Sequence, residues 1–358
     1  MDRLHRVAAS IALVLTALAT AAAPAGAEST TPATTPTPAP GEVSPSPPGP
    51  VPAAGRMTLV LQKVGGSPPF ALAGARIAVR GTVVPYVAGQ TVKLSIYREG
   101  RRVAVQVVHV LPAPKATGEF RITFKSSYSG RVDIRAAHYA TAEQVQFTAR
   151  APLMRFVWPN LGLGSQGQSV RLLQSELDVL HYAVPLTGVF DEGTGRALVA
   201  YRKMTGLELI PYAGTQVFDR LARGAGGFHV RYPGDGRHVE GDLTRQVLAE
   251  IEPGGRVRTI YTMSSGKPST PTVIGRFRVY MKTPGENSHG MVDSSYFISG
   301  YAIHGYAEVP TYAASHGCLR VPIPDASAIY AWVHEGTPVD VYNESGGGSY
   351  NVRSNAGP

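Results

Sequence analysis

The only cysteine of the chain, Cys318, ends the run Ser-His-Gly-Cys at residues 315–318, and His304 stands fourteen residues before it. A thiol is a weak nucleophile until it becomes a thiolate. A nearby imidazole can take its proton and later return that proton to a leaving amine. Gly317 allows a tight backbone before the cysteine, where amide N–H groups could face a developing oxyanion. The pattern therefore predicts nucleophilic catalysis by a thiol.

Sequence spacing alone leaves the identity of the base open, because His316 is nearer to Cys318 in sequence than His304 is. A buried structural cysteine beside two structural histidines is the alternative without chemistry. A metal site built from Cys318, His304 and His316 is another, although a structural zinc site would need a fourth protein ligand. A single cysteine also excludes an internal disulfide.

The chain that must position these residues has 358 residues, of which 43% are hydrophobic. This length and composition exclude a wholly disordered protein and indicate two or three domains. The net charge of +9 is unevenly distributed, since residues 56–150 hold 14 Lys and Arg against four Asp and Glu. Residues 151–358 hold 18 of each kind. A basic segment over 56–150 suits anionic polymers, including nucleic acid, or a membrane surface, with a solvated basic surface as the alternative.

The N-terminal composition predicts export. Two arginines precede an apolar stretch over residues 7–23, and Ala-Gly-Ala at 25–27 fits a cleavage site. We therefore expect a signal peptide over 1–27, with a retained membrane anchor as the alternative, and a secreted protein for which no nucleic-acid partner is expected. Residues 28–55, rich in Pro and Thr, predict an extended linker, and residues 344–358 a disordered tail.

Residues 56–152 show the alternation typical of strands, with glycine-containing breaks between most of them. Short strands at this spacing predict an antiparallel β-sandwich, and the segment resembles bacterial immunoglobulin-like modules. The alternating apolar positions include Ile77 and Val79, then Val92, Leu94 and Ile96, and then Val103, Val105 and Val107.

Residues 156–225 carry apolar residues at helical spacing and predict a small helical domain, with Ser169 and Asp191 as candidate N-caps. The runs at 163–167 and 188–190 resemble the three-helix peptidoglycan-binding module, which implies three helices and wall binding. The chain departs from that module at His181, Thr187 and Tyr201-Arg202.

Residues 228–343 are again rich in strands. The segments 246–251 and 256–261 flank Pro253-Gly-Gly and predict a hairpin, and one helix is predicted to start near Asp325. The whole chain is thus predicted to be a mainly β multidomain protein, with an N-terminal β-sandwich, a small three-helix domain and a C-terminal β-rich domain.

The residues around Cys318 resemble the catalytic domain of L,D-transpeptidases, the YkuD-like family, over residues 228–343. That family carries a His-Gly element, a loop, and then Ser/Thr-His-Gly-Cys followed by an apolar residue and Arg or Asn. All of these stand here. The chain departs from the family at Val273, where proline is usual, and in the ten residues between His304 and Ser315, which are fewer than in many members.

The resemblance implies that Cys318 is the nucleophile and His304 the general acid/base, oriented by the carbonyl of Gly305. It implies that His316 supports the loop and tunes the thiol. No metal and no cofactor are expected, because an acyl-enzyme route needs neither.

The resemblance also implies an oxyanion hole formed by the backbone amides of Gly317 and Cys318. Three further side chains are predicted to bind substrate: Tyr296, Ser315 and Arg320. The alternative for Tyr296 and Arg320 is a structural role, with Arg320 bracing the loop. The implied reaction joins peptidoglycan stem peptides by 3→3 cross-links outside the cytoplasm. The alternatives are an L,D-carboxypeptidase, which would use water as acceptor, and a non-catalytic wall-binding protein.

Overall fold

The computed structural model describes residues 51–344, and all of them fall within one compact unit. The predicted signal peptide, nearly all of the predicted linker and nearly all of the predicted tail lie outside the described residues. No helix between residues 51 and 344 is long and apolar enough to cross a membrane.

The first ten strands form two sheets that enclose one apolar core, as predicted for a β-sandwich. One sheet has the strand order β1-β3-β7-β6, and the other has the order β2-β10-β8-β4-β5 with β9 beside β8. Ile77 and Val79 of one sheet and Leu94 and Ile134 of the other are fully buried in the shared core. The strands are β1 (Arg56–Gln62), β2 (Phe70–Leu72), β3 (Arg76–Val84), β4 (Thr91–Arg98), β5 (Arg101–His109), β6 (Leu111–Ala113), β7 (Thr117–Lys125), β8 (Gly130–His138), β9 (Phe147–Arg150) and β10 (Met154–Val157).

Strand β5 alternates as predicted, but three of its four valines face solvent. Val103, Val105 and Val107 are exposed, whereas Ala104 and Val108 pack against the core. Alternation establishes the period of a strand but does not say which of its two faces is buried. β5 lies at the end of its sheet, where only one neighbouring strand pairs with it.

Three helices follow the sandwich: α1 (Gln168–Val179), α2 (Glu192–Thr205) and α3 (Thr215–Leu221). Asp191 caps α2 as predicted, since its Oδ1 accepts a hydrogen bond from the N–H of Thr194 at 2.8 Å. The predicted cap at Ser169 is wrong, because α1 begins one residue earlier and Gly167 is its N-cap. The hydroxyl of Ser169 instead accepts a hydrogen bond from the N–H of Trp158.

The helices pack directly on the next hairpin. The apolar residues of α1 and α2 form one core with residues of β12 and β13, among them Ile251 and Ile260, which are fully buried. The predicted hairpin is present, because β12 and β13 pair antiparallel across residues 253–255. The strands at this face are β11 (His238–Asp242), β12 (Val247–Glu252) and β13 (Arg256–Thr262).

The C-terminal part contains two sheets, one with the order β13-β12-β11-β19-β14 and one with the order β15-β16-β17-β18. The predicted helix begins at Ile323, two residues before Asp325, with Pro322 as its N-cap. β17 and β18 pair in parallel and are joined by residues 307–318, which we call the catalytic loop. The remaining elements are β14 (Gly275–Arg278), β15 (Met281–Glu286), β16 (Val292–Ile298), β17 (Tyr301–Tyr306), β18 (Leu319–Pro322), α4 (Ile323–Trp332) and β19 (Pro338–Tyr342).

Candidate active site

The parallel pair β17–β18 brings together the histidine and the cysteine selected from the sequence. In its register, His304 lies opposite Arg320, so Cys318, just before β18, falls beside Ala302. Side chains two residues apart on a strand point to the same face. Cys318, His304 and Arg320 therefore share one face of the sheet.

His304 is held in one tautomer. It is 3% exposed, and its Nδ1 lies 2.9 Å from the carbonyl oxygen of Gly305. Because a carbonyl oxygen only accepts, Nδ1 carries the hydrogen and Nε2 keeps its lone pair. Burial lowers the pKa of His304 to about 4, while the hydrogen bond to the Gly305 carbonyl acts to raise this pKa and the charge of Arg320 acts to lower it. The imidazole is therefore neutral near pH 7, as a general base must be.

Cys318 is half-buried and protonated at rest. Its Sγ lies 3.7 Å from the carbonyl oxygen of Gly300, to which the thiol donates a weak hydrogen bond. Burial raises the pKa of the Cys318 thiol above its usual value, while a backbone hydrogen bond from Ala302 and the charge of Arg320 act in the opposite direction. The site thus holds a thiol beside a neutral imidazole, so a base must remove the thiol proton during attack.

Two aromatic residues border this pair. The guanidinium of Arg320 stacks on the ring of Tyr306 at 3.9 Å, and that ring meets His304 edge-on at 5.7 Å. Tyr296, on β16, lies opposite Ala302 and so shares the face of His304. The sequence reasoning missed Tyr306, although its place two residues after His304 on a strand was a usable signal.

Ser315, which the sequence predicts to bind substrate, lies inside the catalytic loop. It is fully buried, and its hydroxyl donates to the carbonyl of Cys318 at 2.6 Å and accepts from the N–H of Gly317 at 3.0 Å. The hydroxyl thus holds the catalytic loop together, and a substrate contact by Ser315 stays a prediction. The hydrogen bond from Gly317 to Ser315 occupies the N–H of Gly317, which is one of the two amides predicted to form an oxyanion hole.

Gly317 occupies a position that only glycine fits. Its φ is +121°, and a Cβ there would lie 1.6 Å from the ring of Tyr301. The backbone therefore runs against an aromatic ring immediately before Cys318. The requirement for glycine at this turn follows from both the dihedral angle and the close approach.

His316, the nearer histidine in sequence, points to solvent. It is exposed, and its Nε2 lies 3.3 Å from the Nζ of Lys267. Within residues 51–344, no group of three or more His, Cys, Asp or Glu side chains is arranged to hold a metal ion. His304, by contrast, is buried on the same sheet face as Cys318.

These features define a class of protein, one with a β-rich domain in which a buried imidazole on one strand and a thiol just before the adjacent parallel strand lie at the same end of the pair. The family model described as the L,D-transpeptidase catalytic domain, YkuD, matches residues 236–341. Residues 236–341 are thus an L,D-transpeptidase catalytic domain of the YkuD family.

Several solved structures are similar to the chain. An L,D-transpeptidase from Xylanimonas cellulosilytica is 33% identical, with 51% of this chain and 98% of that chain covered and a TM-score of 0.47. One from Stackebrandtia nassauensis is 22% identical, with 51% and 94% covered and a TM-score of 0.34. One from Mycobacterium smegmatis is 11% identical, with 80% and 99% covered and a TM-score of 0.27. A search of curated proteins gave no match.

Proposed function

We propose that this protein is a peptidoglycan L,D-transpeptidase that forms 3→3 cross-links through a thioester on Cys318. The observation that carries the proposal is the locked tautomer of His304, whose Nε2 lone pair is free on the face that Cys318 shares. Membership of the L,D-transpeptidase family supplies the class of substrate, the peptide stems of peptidoglycan.

In the first half-reaction, Sγ of Cys318 attacks the carbonyl carbon of the third residue of a tetrapeptide stem. His304 Nε2 takes the thiol proton as the C–S bond forms. When the tetrahedral intermediate collapses, the C–N bond to D-alanine breaks, and His304 gives its proton to the leaving amine. A thioester remains on Cys318, and the imidazole is neutral again.

In the second half-reaction, the side-chain amine of another stem attacks the thioester carbonyl. His304 takes a proton from the attacking amine and returns it to Sγ as the C–S bond breaks. The products are a new amide between two stems and the free thiol. No ATP is consumed, which suits a reaction outside the cytoplasm.

The surrounding residues have separate roles in this proposal. The N–H of Cys318 stabilises the oxyanion, and the N–H of Gly317 contributes only if it leaves Ser315. Arg320 favours negative charge near Sγ and is available for a substrate carboxylate, while Tyr296 borders the stem.

We also propose that the protein is exported and retained at the wall. Residues 1–27 would direct export, and the helical domain, which resembles a peptidoglycan-binding module, would bind the wall. The sandwich offers a basic groove of about 710 Å³ on its outer face, lined by Lys93, Arg102, Arg135 and Arg150. Asp133 balances only part of this charge, so the groove suits an anionic wall polymer.

The nucleophile is tested by intact-mass measurement after exposure to a carbapenem, which acylates enzymes of this family. We expect one covalent adduct on the wild-type protein and none on Cys318→Ala. Folding of the variant is checked by circular dichroism. An unmodified wild-type protein, or an adduct that persists on Cys318→Ala, would contradict the proposed acyl-enzyme.

A further inference from the structure

Lys203, on α2, is a buried lysine that crosses from the helical domain to the catalytic domain. Only 8% of the residue is exposed, and its Nζ donates to the carbonyl of Gln246 at 2.9 Å. It also donates at 2.8 Å to the hydroxyl of Thr262 and to the carbonyl of Met263. A buried lysine amine is tolerated when it meets hydrogen-bond partners in this way. All three acceptors lie at the open end of the β12–β13 hairpin. Gln246 comes just before β12, Thr262 ends β13, and Met263 follows it.

Gln246 is the first residue that this lysine holds in place. Its φ of +54° is in the left-handed region, which a residue with a side chain adopts only when its surroundings fix it. Lys203 and the N–H of Met263 both bind its carbonyl. The side-chain amide of Gln246 then meets Ser265 twice, accepting from its N–H at 2.8 Å and donating to its hydroxyl at 2.7 Å.

Ser265 connects this residue to the catalytic loop. Its carbonyl accepts hydrogen bonds from the N–H groups of both Ala314 and Ser315, each at 2.8 Å. Its neighbour Ser264 exchanges two backbone hydrogen bonds with Arg320, at 2.9 and 3.0 Å. Ser315 in turn donates to the carbonyl of Cys318. An unbroken series of short hydrogen bonds therefore joins α2 to the nucleophile.

We propose that Lys203 is a positioning residue for Cys318, acting through Gln246, Ser265 and Ser315, so that the helical domain is a structural part of the active site. The inference rests on the proposed function of Cys318. It assigns the helical domain a role beyond wall binding, because a separated domain would leave the turn at Gln246 without its anchor. Nothing in this role requires Lys203 to touch substrate.

The test compares Lys203→Met with a matched lysine. Lys282, on β15, also donates to main-chain carbonyls, those of Tyr330 and Val333. It pairs with Ser295 on the sheet, and the register places it on the face opposite His304. Lys282→Met therefore removes a lysine side chain that makes the same kind of contact, without touching the series that leads to Cys318.

The measured quantity is the first-order rate constant for acylation of Cys318 by a carbapenem, at saturating reagent and in the full-length protein. We expect at least a tenfold decrease for Lys203→Met and a change of less than twofold for Lys282→Met. Partial unfolding would reduce the fraction of protein that reacts, whereas a displaced loop lowers the rate constant of the whole population. A lower reaction amplitude therefore indicates partial unfolding, and a lower rate constant indicates a displaced loop.

Thr262→Val serves as a milder variant, because it removes one acceptor of Lys203 at nearly constant volume. If Lys203→Met does not fold, Thr262→Val is expected to slow acylation by about threefold, and an unchanged rate would overturn the inference. A folded Lys203→Met that reacts at the wild-type rate would also overturn it. If the wild-type protein itself is not acylated, the proposed function fails instead.

Discussion

At the scale of single residues, the site depends on a neutral histidine beside a protonated thiol. Burial is the larger influence on both groups, lowering the pKa of His304 and raising that of Cys318. Desolvation disfavours each charged form, so the pair rests uncharged and the proton moves only as the substrate carbonyl is attacked. This is a different starting point from a preformed thiolate–imidazolium pair.

The acid side of the pH profile follows from His304. Because its pKa is lowered to about 4, the imidazole stays available as a base well below the usual histidine value. We expect the carbapenem acylation rate to be unchanged between pH 7 and pH 5.5 and to fall as the pH approaches 4. Stopped-flow acylation across this range measures it. A midpoint near pH 6.5 would show that His304 is not buried in the reacting enzyme.

Gly317 gives a second prediction at this scale. Gly317→Ala would force a Cβ into the ring of Tyr301 and strain a backbone at φ +121°. We expect a loss of at least about 2 kcal/mol of stability, or a displaced loop with acylation slowed more than about tenfold. Gly234→Ala is the control, because nothing lies within 4 Å of that position and its backbone is not in the left-handed region. Thermal unfolding and acylation rates compare the two.

At the scale of elements, local periodicity was sufficient for much of the fold. The sandwich, the helices and the hairpin at 253–255 each follow from spacing and turn residues. The face of β5 could not be predicted, because Val103, Val105 and Val107 and the intervening residues alternate equally well. The start of α1 was misplaced because Ser169 bonds Trp158, a contact outside the helix.

The candidate site shows the same division. Cys318 and His304 are recognisable in the sequence because their motif is local, and the parallel pair β17–β18 then brings them to one face. The burial of Ser315 could not be predicted, because it depends on the fold around the catalytic loop. Lys203 could not be found at all, since its three acceptors lie more than forty residues away in the sequence.

At the scale of the whole molecule, the helical domain and the catalytic domain share one apolar core and one buried lysine. Burial lowers the pKa of Lys203 to about 7 from 10.5. The unfolded chain therefore holds a proton between these values that the folded protein has lost. Stability due to this group rises with pH across that window, by up to about 1.4 kcal/mol per pH unit.

Denaturant unfolding at pH 7.5 and pH 9.5 measures this dependence in the wild-type protein and in Lys203→Met. We expect the free energy of unfolding to increase more between the two pH values in the wild type than in the variant, because only the wild type has this group. Subtracting the increase measured for the variant from that of the wild type removes the contribution of the tyrosines and the thiol, which both proteins share. Equal increases would mean that Lys203 keeps its proton throughout.

The basic groove of the sandwich gives a prediction about wall association. Replacing Lys93 and Arg102 by glutamine removes two of its charges, and we expect several-fold weaker binding to purified walls that carry anionic polymers. The control replaces Arg121 and Lys125, which are exposed on β7 of the other sheet, and so changes the net charge equally. Equal losses for both pairs would indicate that only total charge matters.

The most direct test of the central claim is the fate of tetrapeptide stems incubated with the purified protein. We predict one D-alanine released for each 3→3 cross-linked dimer, and neither product with Cys318→Ala or His304→Gln. Mass spectrometry of the muropeptides, with D-alanine measured in parallel, gives both quantities. Release of D-alanine without any dimer would contradict transpeptidation and identify water as the acceptor.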